Sequence, residues 1–373
     1  MLSLLLLGVF LRPFISSYAF PLANNLYSYG LLFCLAAWIY SKRLNLPDIK
    51  PTLYPLALLL LAVFTRVIIQ APKDTGLERI ILLLTAALIF IASGCFSKEE
   101  REKTLQVIVI SATAVSLYAL YQYFWRFPHL IAFIKTHAIS DPYILQCLEQ
   151  KRVFGPFVTP ATLGGFLIMA IPLFFINRGT MRLAIVPLLA LILTQSLGAF
   201  VSLILALFFY YLLRKGGSKS VYLALGLTLV FLIILAVRIF PSYQHFHPSF
   251  SIKMRLSYWQ DTLRLIALHP FIGIGMGDFH LAASRFAHNS YLQLWAEGGI
   301  LPLLAFLWLV FNIFTNGLRK IILGQEQKPE LLLLLCASAA FLLHNLVDFT
   351  FFLPEASWIW WLITGMAYFW RDS

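Results

Sequence analysis

The run FAHNSYLQLWAEGGILPLLAFLWLVFNIF, residues 286–314, changes character halfway along. Its first half carries His288, Asn289, Gln293 and Glu297 and closes on Gly298-Gly299, whereas from Ile300 onward only Asn312 is polar. An apolar helix of about 20 residues is what it takes to cross roughly 30 Å of hydrocarbon. The stretch therefore reads as a polar, ionisable, glycine-punctuated segment held at a membrane surface, followed by a helix that re-enters the bilayer. Chemistry is expected in the polar half, at the end of an insert running from Arg255 to Gly299, and scaffolding elsewhere.

Composition supports that division. Mean hydropathy is +0.83, with 60% hydrophobic and only 12% charged residues. Apolar runs of roughly 17–23 residues recur along the chain, and the alternation of a strand-built barrel is absent, which leaves a polytopic bundle of helices. The net charge of +12 is spread over short clusters between the runs, including Lys42-Arg43, Lys98/Arg101/Lys103, Arg178/Arg182, Arg214-Lys215/Lys219, Arg319-Lys320/Lys328 and Arg371. Placed at every second loop, these clusters follow the positive-inside rule and are not a nucleic-acid footprint. Cys34, Cys95 and Cys336 fall in apolar runs and Cys147 stands alone, so no disulfide framework is expected. No basic residue precedes the first apolar run, so it is expected to stay as a membrane helix.

Twelve spans are expected, at roughly 2–20, 23–41, 54–71, 78–96, 104–125, 159–177, 181–195, 198–213, 219–240, 297–317, 330–346 and 355–371. The fold class is thus an all-α, multi-pass helical bundle with both termini cytoplasmic. Four regions follow: N-terminal membrane helices 1–125, a first outward loop with central helices 126–240, an extracytoplasmic catalytic loop 241–296, and C-terminal membrane helices 297–373. In SIKMRLSYWQDTLRLIALHP, residues 251–270, Met254, Tyr258, Leu263, Ile266 and Ala267 keep helical spacing, with Arg255, Asp261 and Arg264 among the polar positions. That pattern predicts an amphipathic helix on the membrane surface, ended by Pro270. All eight histidines fall on the outward side or at an outer helix end, which puts the active face outside.

Each candidate residue has two readings. His288-Asn289 can cap a membrane helix with Tyr291 as an interfacial anchor, but capping needs no imidazole, and a histidine at a cavity edge can take a proton from a hydroxyl. Arg255 and Arg264 lie nine residues apart, half a turn around a helix at ~100° per residue, so only one can face a given site. Either arginine can snorkel toward lipid phosphates or hold a diphosphate with a bidentate fork. The same choice applies to Arg152, in Lys151-Arg152-Val153-Phe154-Gly155-Pro156-Phe157. Arg66, and more weakly Arg12, sit within apolar runs where a charge is costly and so suggests a function. His344 and Asp348 share a helix face by spacing, as a structural pair or as substrate contacts.

Two motifs are set aside. Gly273-Ile-Gly275-Met-Gly277 has no preceding strand and reads as turns, not as a nucleotide loop. His245-Phe-His247 with His280 or His288 offers imidazoles, but no carboxylate or cysteine at a ligand spacing, so no metal and no cofactor is expected.

Together these residues resemble the bacterial O-antigen ligase and polymerase superfamily. The likeness rests on Arg255-x3-Trp259, HPFIGIGMGDF, Ala287-His288-Asn289-Ser-Tyr291-Leu-Gln293 and Ala296-Glu297-Gly298-Gly299. It extends to Arg152-Val-Phe-Gly155-Pro-Phe and to His344-Asn-Leu-Val-Asp348 followed by Pro354. The resemblance implies transfer of a glycan from a polyprenyl diphosphate to a lipid, glycan or protein acceptor, at the periplasmic face of the cytoplasmic membrane. It gives Arg255 the diphosphate and His288 the acceptor hydroxyl or its orientation; Arg152, Asn289, Tyr291, Glu297, Arg264, Arg66, His344 and Asp348 stand beside them as candidate substrate contacts. One departure stands out: Gln195-Ser196-Leu197-Gly198 has leucine where many members have arginine, so a second guanidinium must come from Arg152 or Arg66. The rival outside the enzyme class, a transporter, predicts polar residues near mid-membrane in paired, helix-broken repeats, and no such repeat is visible.

Overall fold

The computed structural model describes residues 2–42, 50–70, 74–137, 147–214, 218–239, 248–323 and 329–370. His245, His247, Arg43, Lys215, Lys328 and Arg371 lie outside the described residues. Fifteen principal helices follow one another: α1 Leu2–Leu11, α2 Pro21–Lys42, α3 Lys50–Ile69, α4 Asp74–Ser93, α5 Lys98–Tyr121, α6 Phe127–Thr136, α7 Pro160–Ala170, α8 Ile185–Thr194, α9 Leu197–Leu213, α10 Ser218–Ile239, α11 Pro248–Leu268, α12 Ser290–Gly298, α13 Ile300–Ile322, α14 Pro329–His344 and α15 Pro354–Tyr368. Among the described residues the only β pairing is an isolated bridge between Leu281 and Ser284. The protein is a helical, multi-pass membrane protein.

Each expected span overlaps helix, although the first, expected over 2–20, is helical only over Leu2–Phe14. Among the described residues, length and composition support five crossings: Pro21–Lys42, Thr52–Ile69, Thr75–Ser93, Lys98–Ile134 and Ile300–Ile322. Ser218–Ile239 matches them in length at 22 residues and the others are shorter apolar helices, so a count of twelve does not follow. The fifth helix also runs on past the expected end at residue 125. Pro128 has no N–H to give, and the turn before it widens into π geometry over Gln122–Arg126, with Phe127 N donating to Gln122 O. Helix therefore continues to Thr136.

The core sits around α15, every residue of which is buried. It packs along α4 and α14, while α13 lies along α3 and α9 along both α10 and α14. Small residues permit the close crossing: a Cβ on Gly365 would stand 2.8 Å from Phe90 O of α4. Glu355 in the first turn of α15 meets Arg12 Nη2 at 3.4 Å, both side chains being buried. The guanidinium also donates to Ile15 O and Asn24 Oδ1 at 2.8 and 2.9 Å, and lies over the rings of Tyr27 and Trp358. Arg12, singled out in the sequence as a costly charge, is thus matched by a buried partner that ties the N-terminus to the central helix.

Between the membrane helices, α11 and α12 build the polar end. The chain breaks at Gly299, whose φ of 83° suits glycine and whose Cβ would collide with Phe271 O at 2.1 Å. The expected span from 297 therefore starts at Ile300, and the polar turns before it form their own helix. Residues 270–275 are strapped to α12 by Ile274 N to Ala296 O, Gly275 N to Glu297 O and Trp295 Nε1 to Pro270 O, at 2.7–3.0 Å. The three glycines read as turn residues do have positive φ.

Candidate functional site

The half-turn between Arg255 and Arg264 decides which of them faces inward. On α11, Thr262 and Ile266 are buried and Arg255, Tyr258 and Trp259 turn toward the protein, whereas the Arg264 side chain is 78% exposed and pairs only with Asp261. Arg255 Nε donates to Val347 O at 2.9 Å and Nη1 to Ser251 Oγ at 2.8 Å. Two fixed donors orient the planar fork before any ligand arrives.

His288 is held from several sides. Its backbone lies in the left-handed region at φ 51° and its carbonyl accepts Trp259 Nε1 at 3.3 Å. The ring stacks on Tyr258 with centroids 5.4 Å apart and meets the edge of Phe349 at 5.2 Å. Asn289 caps α12, Oδ1 accepting Tyr291 N and Leu292 N at 3.0 Å each. Ser290 N donates to Asn345 O at 2.9 Å, and its hydroxyl to Asn345 Oδ1 at 2.7 Å. The histidine segment is thus stitched to the chain that follows α14. Burial pushes the imidazole down from 6.5 to about 4; the Asp348 carboxylate acts against this and the Arg255 charge adds to it. At neutral pH the ring is uncharged.

Arg255 and His288 line one cavity of about 1480 Å³, together with Arg152 and Asp348. Leu197, Val201 and Leu205 recur every four residues along one face of α9 and continue the wall for about 12 Å of helix rise. Phe231 and Leu235, one turn apart on α10, complete the apolar stripe. The cavity therefore joins a cationic, imidazole-bearing mouth to a hydrocarbon-lined groove. Arg152 Nε donates to Thr194 O at 3.1 Å, which docks its segment on the end of α8. Among the described residues, the non-glycine residues with positive φ are Lys151, Gln195 and His288. Lys151 adjoins Arg152, Gln195 adjoins Ser196, and the neighbours and His288 itself all border this cavity. Such backbone costs about 1–3 kcal/mol each and gathers where a site requires it.

Other expected contacts go elsewhere. Glu297 is buried, 3.4 Å from Arg79 Nε, accepting from Gln293 Nε2 at 2.8 Å and Gly277 N at 2.9 Å. Its oxygens are committed to holding the 270–277 loop. Arg66 Nη2 donates to Gly273 O at 2.9 Å and straps α3 to the same loop. Tyr291 packs against Phe306 and donates to Leu342 O at 2.9 Å. His344 and Asp348 do not share a helix, because α14 ends at His344 and Val347 N turns back to His344 O. They nevertheless approach to 3.7 Å, His344 Nε2 donating to Ala161 O at 3.1 Å and Asp348 Oδ1 accepting Phe349 N at 2.7 Å. Of this pair only Asp348 reaches the cavity wall.

Three residues had no role in the site by sequence. Tyr258 and Trp259 clasp His288, and Gln122 Oε1 accepts Phe154 N and Gly155 N at 2.9 Å, seating the Arg152 segment. The one available signal for Gln122 was an amide near the end of a mostly apolar run.

A family model described as O-antigen ligase matches residues 183–307. The matched segment contains Leu197, the α9 stripe, Arg255 and His288; Arg152 and Asp348 lie outside it. No curated protein matches the chain.

Proposed function

We propose that this member of the O-antigen ligase superfamily moves a glycan from a polyprenyl-diphosphate carrier to an acceptor hydroxyl at the outer face of the membrane. The observation that carries the reading is the shared cavity: a fixed guanidinium and a neutral imidazole at one mouth, with an apolar groove leading away. An amphiphile with an anionic head and a hydrocarbon tail matches both halves.

In the reaction the acceptor oxygen bonds to the anomeric carbon as the bond from that carbon to the diphosphate oxygen breaks. His288 accepts the hydroxyl proton, and the diphosphate departs with the electron pair. The leaving group is already good, so the protein's work is to hold spreading negative charge and to deprotonate an alcohol. Arg255 serves the first task, and Arg152, which lines the same cavity, offsets the guanidinium absent at Leu197. The incoming diphosphate cancels the Arg255 charge that depresses the imidazole, so the base strengthens as the donor binds. Ligation to a lipid core, extension of a glycan and glycosylation of a protein hydroxyl are this same step with different acceptors.

The test is glycan transfer by the full chain in membranes. Arg255→Ala and His288→Ala, inserted at normal levels, are each expected to lower transfer by roughly 10²–10⁴-fold. Undiminished transfer in both variants removes the mechanism.

A further inference from the structure

A second cavity, of about 540 Å³, shares a wall with the first: Tyr18, His280, Arg285 and Phe286 border both. Arg285 Nη1 donates to the Tyr18 hydroxyl at 3.1 Å across that wall, two and three residues before His288 in the chain as it passes from Phe286 and Arg285. The two spaces differ in chemistry. The larger has the helical stripe of aliphatic side chains; the smaller draws on the polar ends of α2 and α4, with Asn24, Asn25, Glu78 and Arg79 beside the faces of Phe352 and Phe279.

Several of these polar groups are oriented in advance. Arg12 holds Asn24 Oδ1 at 2.9 Å, and Asn24 Nδ2 in turn donates to Asn25 Oδ1 at 3.3 Å. Arg79 is pinned by Glu297 at 3.4 Å and lies over the Phe352 ring at 4.5 Å. Amides, a carboxylate and a guanidinium supply both donors and acceptors, and Phe279, Phe286 and Trp358 supply apolar lining. That combination suits the alternating hydroxyls and C–H faces of a sugar, and the volume falls in the roughly 300–1000 Å³ range of small-ligand sites.

We infer that the smaller cavity is the saccharide site for the acceptor, with the Arg285–Tyr18 hydrogen bond as the partition across which its hydroxyl reaches His288. The inference rests on the proposed glycosyl transfer: two substrates that meet at one imidazole need two sites with a common wall there. The donor's lipid claims the cavity with the hydrocarbon stripe, which leaves the polar one to the acceptor.

Asn25→Trp, which fills the smaller cavity, separates the two sites. The full chain is expressed in cells lacking the native copy, so that the natural acceptor is present. Transfer is measured beside labelling by a polyprenyl diphosphate that carries a photoreactive group. The expected result is a drop in transfer of roughly tenfold or more with labelling unchanged. Unchanged transfer overturns the inference, and so does a loss of labelling that accompanies the loss of transfer. Should Asn25→Trp fail to insert, Glu78→Gln carries the test with the same two readouts. Arg255→Ala distinguishes the premise: if it keeps both transfer and labelling, the glycosyl-transfer reading fails, whatever Asn25→Trp does.

Discussion

The imidazole of His288 titrates near 6.5 in an unfolded chain and near 4 in this fold. Burial accounts for most of the drop, and the Arg255 charge adds to it. Because the folded state resists the proton, the unfolded state binds it first as pH falls. Stability is therefore intact above pH 6.5 and is lost progressively on the way down to about 4. The difference corresponds to about 3 kcal/mol between the two protonation states. His288→Gln removes the titrating group and keeps the approximate shape of the ring's polar edge. Unfolding by denaturing detergent in mixed micelles, followed from pH 7.5 to 4, is expected to fall less steeply in the variant by about that amount. Two further substitutions fix the cause. Arg255→Gln removes a charge that opposes protonation, so the loss still begins near pH 6.5 but ends at higher pH and is smaller; Asp348→Asn removes one that favours it, so the loss continues to lower pH and is larger. Superimposable pH profiles for the wild type and His288→Gln would refute the reasoning.

Glu297→Gln leaves the Arg79 charge without its partner and weakens the hold on Gly277 N, at an expected cost of about 3 kcal/mol, the low end for a broken buried pair because Arg79 is 16% exposed. Thermal unfolding in detergent should show this loss. Arg264→Ala is expected to lower stability by at most ~1 kcal/mol, the worth of its exposed pair with Asp261, and to leave transfer within about twofold; parallel activity and melting measurements check it. Gly165→Ala places a methyl group 2.7 Å from His344 Cδ2 and 3.0 Å from Thr350 Oγ1, and the overpacking is expected to lower stability by about 1–3 kcal/mol in the same melting assay.

Much of the architecture was legible in the residues. Apolar run length announced helices that cross a bilayer, and the polar run ending at Gly299 announced the segment that leaves it. The nine-residue spacing of Arg255 and Arg264 required them to face opposite ways, and they do. What periodicity could not reveal was how a helix ends when side chains rather than prolines stop it. His344 and Asp348 had the spacing of a helical pair, yet the helix closes at His344 because Asn345 and Ser290 bind each other across the gap. At Pro128 the opposite occurred: a residue that usually breaks a helix was absorbed by a widened turn.

Chain order alone determined that this is a membrane-embedded helical protein, because transfer of apolar surface depends on local composition over a span's length. It also put Arg255 and His288 forward as the candidate residues. Only the tertiary structure decided what each charge meets. Arg12 and Arg79 meet carboxylates hundreds of residues away, Arg66 is taken by a backbone carbonyl, and Arg255 and Arg152 arrive at one cavity with His288. A charge in a low-dielectric interior is neutralised by whatever folding brings beside it, and that neighbour is not written in the residues on either side.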